Sequence, residues 1–170
     1  MKFHPNLINF FKRHNLYNKE MFTYFEHHST MLDSNFLDER MLRCCAYQID
    51  GKTGILQGIH LNIPYVKDEE TMLDSIHELT HVIFVYPMLG KKFKKDKTIE
   101  VLPLLYEKLY ILENPTKKLI EYGKHLDSLV GQDDYEYKLG LDIRDELIEK
   151  YDYNPRKTVR MVKKISRKHR

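Results

Sequence analysis

The stretch SIHELTHVIF, Ser75 to Phe84, sets two histidines four residues apart with a glutamate directly after the first. On a helix such a pair lies one turn apart on the same side. Met72, Ile76, Leu79 and Ile83 recur at i, i+4, i+7 and i+11, an apolar stripe that predicts a core-facing helix over 68–86. At about 100° per residue, His77 and His81 stand roughly 120° from that stripe and flank the core face at the lip of a cleft. Glu78 points another way around the helix, where it reaches a metal-held water rather than the metal. Two nitrogen ligands and one general base are what the H-E-x-x-H pattern requires of a zinc site that hydrolyses a bond. Asp74, three residues before His77, reads as a solvated first-turn carboxylate.

Working outward, residues 41–66 change texture. Two short strands are predicted there, joined by a turn at Asp50-Gly51-Lys52-Thr53-Gly54. In the second, Ile55, Gln57, Ile59, Leu61 and Ile63 alternate with Leu56, Gly58, His60 and Asn62, the first set facing the core. Pro64 stops this strand, whose edge offers main-chain hydrogen bonds to a substrate segment. Residues 1–40 read as N-terminal helices, from Leu7, Phe10 and Phe11 and then Met21, Phe22 and Phe25 at helical spacing. Pro87 and Gly90 end the histidine helix. A lysine-rich connection then leads to a second apolar helix over 98–114, and residues 133–168 read as two further helices broken near Asn154-Pro155. The fold class expected is α+β within one domain spanning 1–170: predominantly helical, with a two- to three-stranded sheet ahead of the zinc-binding helix.

A catalytic zinc takes a third protein ligand and leaves its fourth position to water. The helix over 98–114 offers Glu100 and Glu107, seven residues apart on one face. Pro103 belongs in a helix's first turn and so puts Glu100 near the start, but spacing leaves both glutamates open as the ligand.

Three stretches resemble the gluzincin class of zinc metallopeptidases, and within it a shortened form of the oligopeptidase F and thimet oligopeptidase group. HELTHV, His77 to Val82, matches the zinc-binding helix. EVLPLLYE, Glu100 to Glu107, resembles the group's glutamate helix, and DYEYKLG, Asp134 to Gly140, a late tyrosine-x-tyrosine segment. The likeness spans roughly residues 40–150. It implies His77, His81 and Glu100 as ligands of Zn²⁺, Glu78 as general base, and Glu107 as a residue supporting the ligands. Tyr135 and Tyr137 become the hydroxyls that steady the oxyanion. Members of that group are several times longer and enclose their site in a deep channel, which 170 residues cannot build.

Composition fits a soluble globular protein: 42% hydrophobic and 31% charged residues, with no apolar run near the roughly 20 residues a membrane crossing needs. The N-terminus lacks the pattern of a signal peptide. Adjacent Cys44 and Cys45 make no disulfide framework and read as core residues, which points to a reducing, cytoplasmic setting. Residues 156–170 carry eight Lys and Arg and no acid; the remaining 20 Lys and Arg meet 25 Asp and Glu, so residues 1–155 carry about −5. The basic tail has no aromatics to stack on bases, which argues against nucleic acid. An acidic partner, or a position over the cleft, suits it better. The function expected is a zinc-dependent peptidase acting on peptides or unfolded polypeptide. The alternative is a latent or non-catalytic zinc-binding regulatory protein of the same fold.

Overall fold

The computed structural model describes residues 2–32, 44–129 and 134–169. Residues 33–43 and 133, parts of the expected N-terminal helices, sheet and C-terminal helices, lie outside the described residues.

The histidine helix, α3 (Glu69–Val85), is the centre of the molecule. Asp68 caps it: its carboxylate accepts from Thr71 N at 2.9 Å, and the Thr71 hydroxyl completes a capping box. Glu69 and Glu70 complement the helix dipole. Twelve of its 17 residues are buried, so the helix is enclosed on nearly all sides rather than along the single predicted stripe. Asp74 is among them, with 8% of its surface exposed, and accepts a hydrogen bond from the Tyr122 hydroxyl at 3.2 Å. The expectation of a solvated carboxylate is corrected by a helix that packs above it.

That helix is α5 (Lys117–Ser128), which lies between the two long segments read from sequence and was not among the expected elements. Thr116 caps it, and Leu119 is fully buried beside Leu73 and Ile111. Before it runs α4 (Val101–Glu113), and after it α6 (Tyr135–Ile148) and α7 (Pro155–Ser166). At the N-terminus, α1 (Pro5–Arg13) and α2 (Lys19–His28) bring Phe10, Phe11 and Phe22 into one aromatic cluster, while Phe25 packs edge-on to Tyr86. No described helix is long and apolar enough to cross a membrane.

The sheet has three strands in the order β1-β3-β2, where β1 is Thr30–Leu32, β2 is Cys44–Ile49 and β3 is Leu56–Pro64. The first strand falls in a region expected to be helical: Ser29 adopts extended backbone at the end of α2, and the chain continues extended, parallel to β3. β2 pairs antiparallel with β3. β1 pairs with Asn62–Pro64 and β2 with Leu56–Asn62, so among the described strands the end of β3 near Ile63, where a substrate segment was expected to add, is already paired on one side by β1. The inward set Ile59, Leu61 and Ile63 is buried as predicted, but Leu56 is buried and Gln57 exposed, the reverse of the expectation. A register shift between Gln48 and Ile49 accounts for the reversal, because one residue of slippage turns every later side chain over.

A polar cluster locks the N-terminal helix to the C-terminal half. His14 is fully buried, with Nε2 at 2.7 Å from Glu113 Oε1 and Nδ1 against the Tyr151 hydroxyl. A carboxylate only accepts, so Nε2–H donates to Glu113, and in the neutral ring Nδ1 accepts from Tyr151. Burial drives the His14 pKa below 6.5, against the raising influence of Glu113. The unfolded chain then binds this proton more readily, so His14 contributes stability above about pH 6.5 that is lost as pH falls through its folded-state pKa. NMR titration of the His14 ring should give a midpoint below 6.5. A midpoint at or above that value would contradict the buried neutral ring.

Candidate metal centre

α3 presents His77, Glu78 and His81, with 5%, 7% and 8% of their surfaces exposed. They are core residues, not residues of a solvated lip, because α4 and α6 close over that side of the helix.

The chain leaves α3 through a 3-10 turn at Tyr86–Met88, and Gly90 takes a positive φ of 74°. Residues 90–93 then run back beside the start of β3: Gly90 N donates to Leu56 O, Leu56 N to Lys91 O, and Phe93 N to Gly54 O. Asp96 nucleates the next turn, accepting from Thr98 N at 3.0 Å. This sets Glu100 at the residue before α4, with no capping bond of its own, so its side chain is free to point at α3.

Glu100 Oε2 lies 3.2 Å from His77 Nε2 and 3.3 Å from His81 Nε2, and the three ligand atoms fall within 4.8 Å of one another. That oxygen is buried and has no hydrogen bond of good geometry among the described residues. A zinc ion with bonds of 2.0–2.1 Å holds tetrahedral ligand atoms about 3.3–3.4 Å apart. The observed separations match that edge, while the misaligned N–H directions do not suit a hydrogen bond. Charge agrees as well. The carboxylates of Glu100 and Glu107 lie 3.1–3.3 Å from nitrogens of the two imidazoles, which carry charge only when protonated. Buried charge requires a partner, and a divalent cation supplies one.

Glu107, two turns along α4, does not face that point. Its Oε1 is 3.1 Å from His77 Nδ1, so it holds the ring by its other nitrogen. The geometry thus separates two glutamates that spacing left open. His81 Nδ1 is buried with no hydrogen-bond partner among the described residues, so Glu100 at Nε2 is the polar contact that holds this ring. Burial opposes ionisation of Glu100, but His77 and His81 outweigh it and hold its carboxyl well below the usual carboxylate range. Burial likewise opposes the imidazolium of His77, yet Tyr137, Glu107 and Glu100 raise its pKa well above 6.5. An ion bound at Nε2 displaces that proton.

α6 crosses α4 closely because residue 140 is glycine: a Cβ there would stand 2.7 Å from Leu104 Cδ1 and 3.4 Å from Glu100 Cβ. One turn earlier, the Tyr137 hydroxyl comes to 3.4 Å from His77 Nε2. Burial first, then the charges of Glu107, Glu100 and Glu78, push its pKa up to about 12, so it stays protonated as a donor. Tyr135 is not brought to the centre; it is 53% exposed, with Lys97 Nζ 5.3 Å over its ring. Two residues apart on a helix, the pair points to opposite sides, and only one faces α3. His125 is exposed on α5, and Cys45 is half-buried on β2.

Sequence reasoning missed Tyr47 of β2. Its hydroxyl is buried beside Cys45, and its pKa is raised by burial above all, then by Cys45 and the charges of Glu100 and Glu78. The signal was the two-residue period of β2, which puts Cys45 and Tyr47 on one face.

Comparison with known proteins does not extend this picture. No family model, curated protein or solved structure matches the chain. What the structure itself offers is the cluster of His77, His81 and Glu100, which could hold a metal ion.

Elemental analysis of purified protein should find about one divalent ion per chain, absent in His81→Ala. Glu107→Gln should weaken binding about 10–100-fold through loss of its hold on His77. Unchanged metal content in His81→Ala would remove that ring from the centre.

Proposed function

We propose that the protein is a zinc-dependent peptidase, with His77, His81 and Glu100 as the ligands of the ion. What supports it most is the pair of near-tetrahedral edges that Glu100 Oε2 makes with the two histidine nitrogens. Two imidazoles and one carboxylate with the fourth position left open are the donor set of a catalytic rather than a structural zinc. When bound, the ion acidifies a coordinated water and polarises a carbonyl.

The chain's own residues do the rest. Glu78 follows His77 directly, so it borders the centre without facing the ligand point. As general base it takes the proton of the attacking water and passes it to the leaving amine. The Tyr137 hydroxyl, a donor at neutral pH beside His77 Nε2, hydrogen-bonds the oxyanion as charge develops. Glu107 keeps Nδ1 of His77 as the protonated nitrogen and so presents Nε2 to the ion. Peptides or unfolded polypeptide are the substrates that suit a small, partly closed site.

One observation favours a second reading, a latent or regulatory zinc protein: every ligand-bearing side chain is nearly buried, with 6%, 8% and 14% exposure at His77, His81 and Glu100. Kinetics separate the two. Glu78→Gln should keep its zinc and lose hydrolysis of a quenched-fluorescent peptide library. Zinc retained with no turnover in the wild type favours the regulatory reading, and full activity in Glu78→Gln would sink the proposed mechanism. Tyr137→Phe should lower kcat about 10²–10³-fold with little change in KM, as removal of an oxyanion donor does. An equal rise in KM instead would assign Tyr137 to ground-state binding.

A further inference from the structure

A pocket of about 290 Å³ opens beside the metal centre, and His81 is part of its wall. Its lining is largely apolar: Phe84 from the end of α3, Met88 from the 3-10 turn after it, Leu102 from α4, and Val159 and Val162 from α7. Polar residues gather as Lys94, Asp96, Thr98 and Lys163. At the small end of the range for ligand pockets, about 300–1,000 Å³, it has room for one or two side chains and not for a folded partner.

We infer that this pocket is the specificity site of the enzyme and takes a bulky, uncharged apolar side chain of the substrate, leucine- or phenylalanine-like, next to the bond held at the metal. The inference rests on the metal-centre reading above. Three features on the structure carry it. The wall includes a ligand residue, His81, so a group seated in the pocket lies beside the residue that would hold the ion. The walls are hydrocarbon, where each buried methylene is worth roughly fourfold in affinity. Lys94 and Lys163 outnumber Asp96, which selects against a lysine or arginine side chain.

This gives the basic C-terminal helix a role that its charge does not predict. α7 is amphipathic: Thr158, Val162 and Ile165 are buried. Lys157 pairs with Asp152, and Lys168 with Glu146 at 3.0 Å, both turned away from the core. Val159, Val162 and Lys163 of this helix line the pocket, while Lys157 is engaged outside it. The helix is thus a part of the binding site, and narrowing it from this side changes which group fits.

The test is calorimetric titration of the full-length, zinc-loaded protein with simple hydroxamates, which chelate the ion and carry a chosen chain. The 4-methylpentanoic and 3-phenylpropanoic hydroxamates should bind at least tenfold more tightly than acetohydroxamate, and 6-aminohexanohydroxamate should gain nothing over it. Val159→Phe and, from the opposite wall, Leu102→Phe should cut the apolar advantage below threefold while each variant still carries one zinc and melts cooperatively. Equal binding of all four compounds would overturn the pocket assignment and leave the metal centre standing. So would failure of every hydroxamate to bind a zinc-loaded chain. Absence of zinc would instead overturn the metal reading and the pocket assignment with it. Selective hydroxamate binding without peptide turnover would uphold the pocket and reject the peptidase.

Discussion

A carboxylate oxygen inside the protein, Glu100 Oε2, is shared between two imidazole nitrogens without a proper hydrogen bond to either. Buried polar atoms in folded proteins are ordinarily satisfied, and a buried charge without good partners is costly. His77 and His81 stand beside that oxygen as ion-pair partners, and the three ligand atoms together form a point that could hold a metal ion. A divalent ion at the common point would fit both the separations and the misaligned N–H directions.

Much of the architecture serves to hold that point. α3 is buried on nearly every side, which is unusual for a helix carrying two histidines and two acids on its middle turns. The chain beyond it is pinned back against the start of β3 by backbone hydrogen bonds at Gly90, Lys91 and Phe93, and so delivers Glu100 from a fixed direction. α4 supplies Glu107 to hold the far side of the His77 ring. α6 comes close enough to place Tyr137 because Gly140 lacks a side chain where Leu104 and Glu100 lie. Lys95 and Glu136, paired at 2.6 Å, tie the connecting loop to that same helix.

Local pattern made α3, the β2–β3 turn and the α+β class legible, because caps, turn residues and apolar period act over a few residues. What escaped depends on neighbours. The apolar stripe of α3 put the histidines at a lip, but α4 and α6 cover that lip, and α5 likewise covers Asp74. The inward face of β3 was read correctly from Ile59 onward and wrongly at Leu56 and Gln57, since a register shift leaves no mark in composition. Glu100 and Glu107 share a face seven residues apart, so spacing could not divide their roles. The two nitrogens of His77 do. Tyr135 and Tyr137 were taken together from the resemblance, whereas helical geometry already places them on opposite sides.

The most direct measurement is zinc K-edge X-ray absorption on the zinc-loaded protein. A four-coordinate ion with nitrogen and oxygen at about 2.0–2.2 Å, two of the scatterers showing the outer-shell pattern of imidazole, is the result this account predicts. A sulfur scatterer at about 2.3 Å, or six oxygens with no imidazole, would place the ion elsewhere and contradict it.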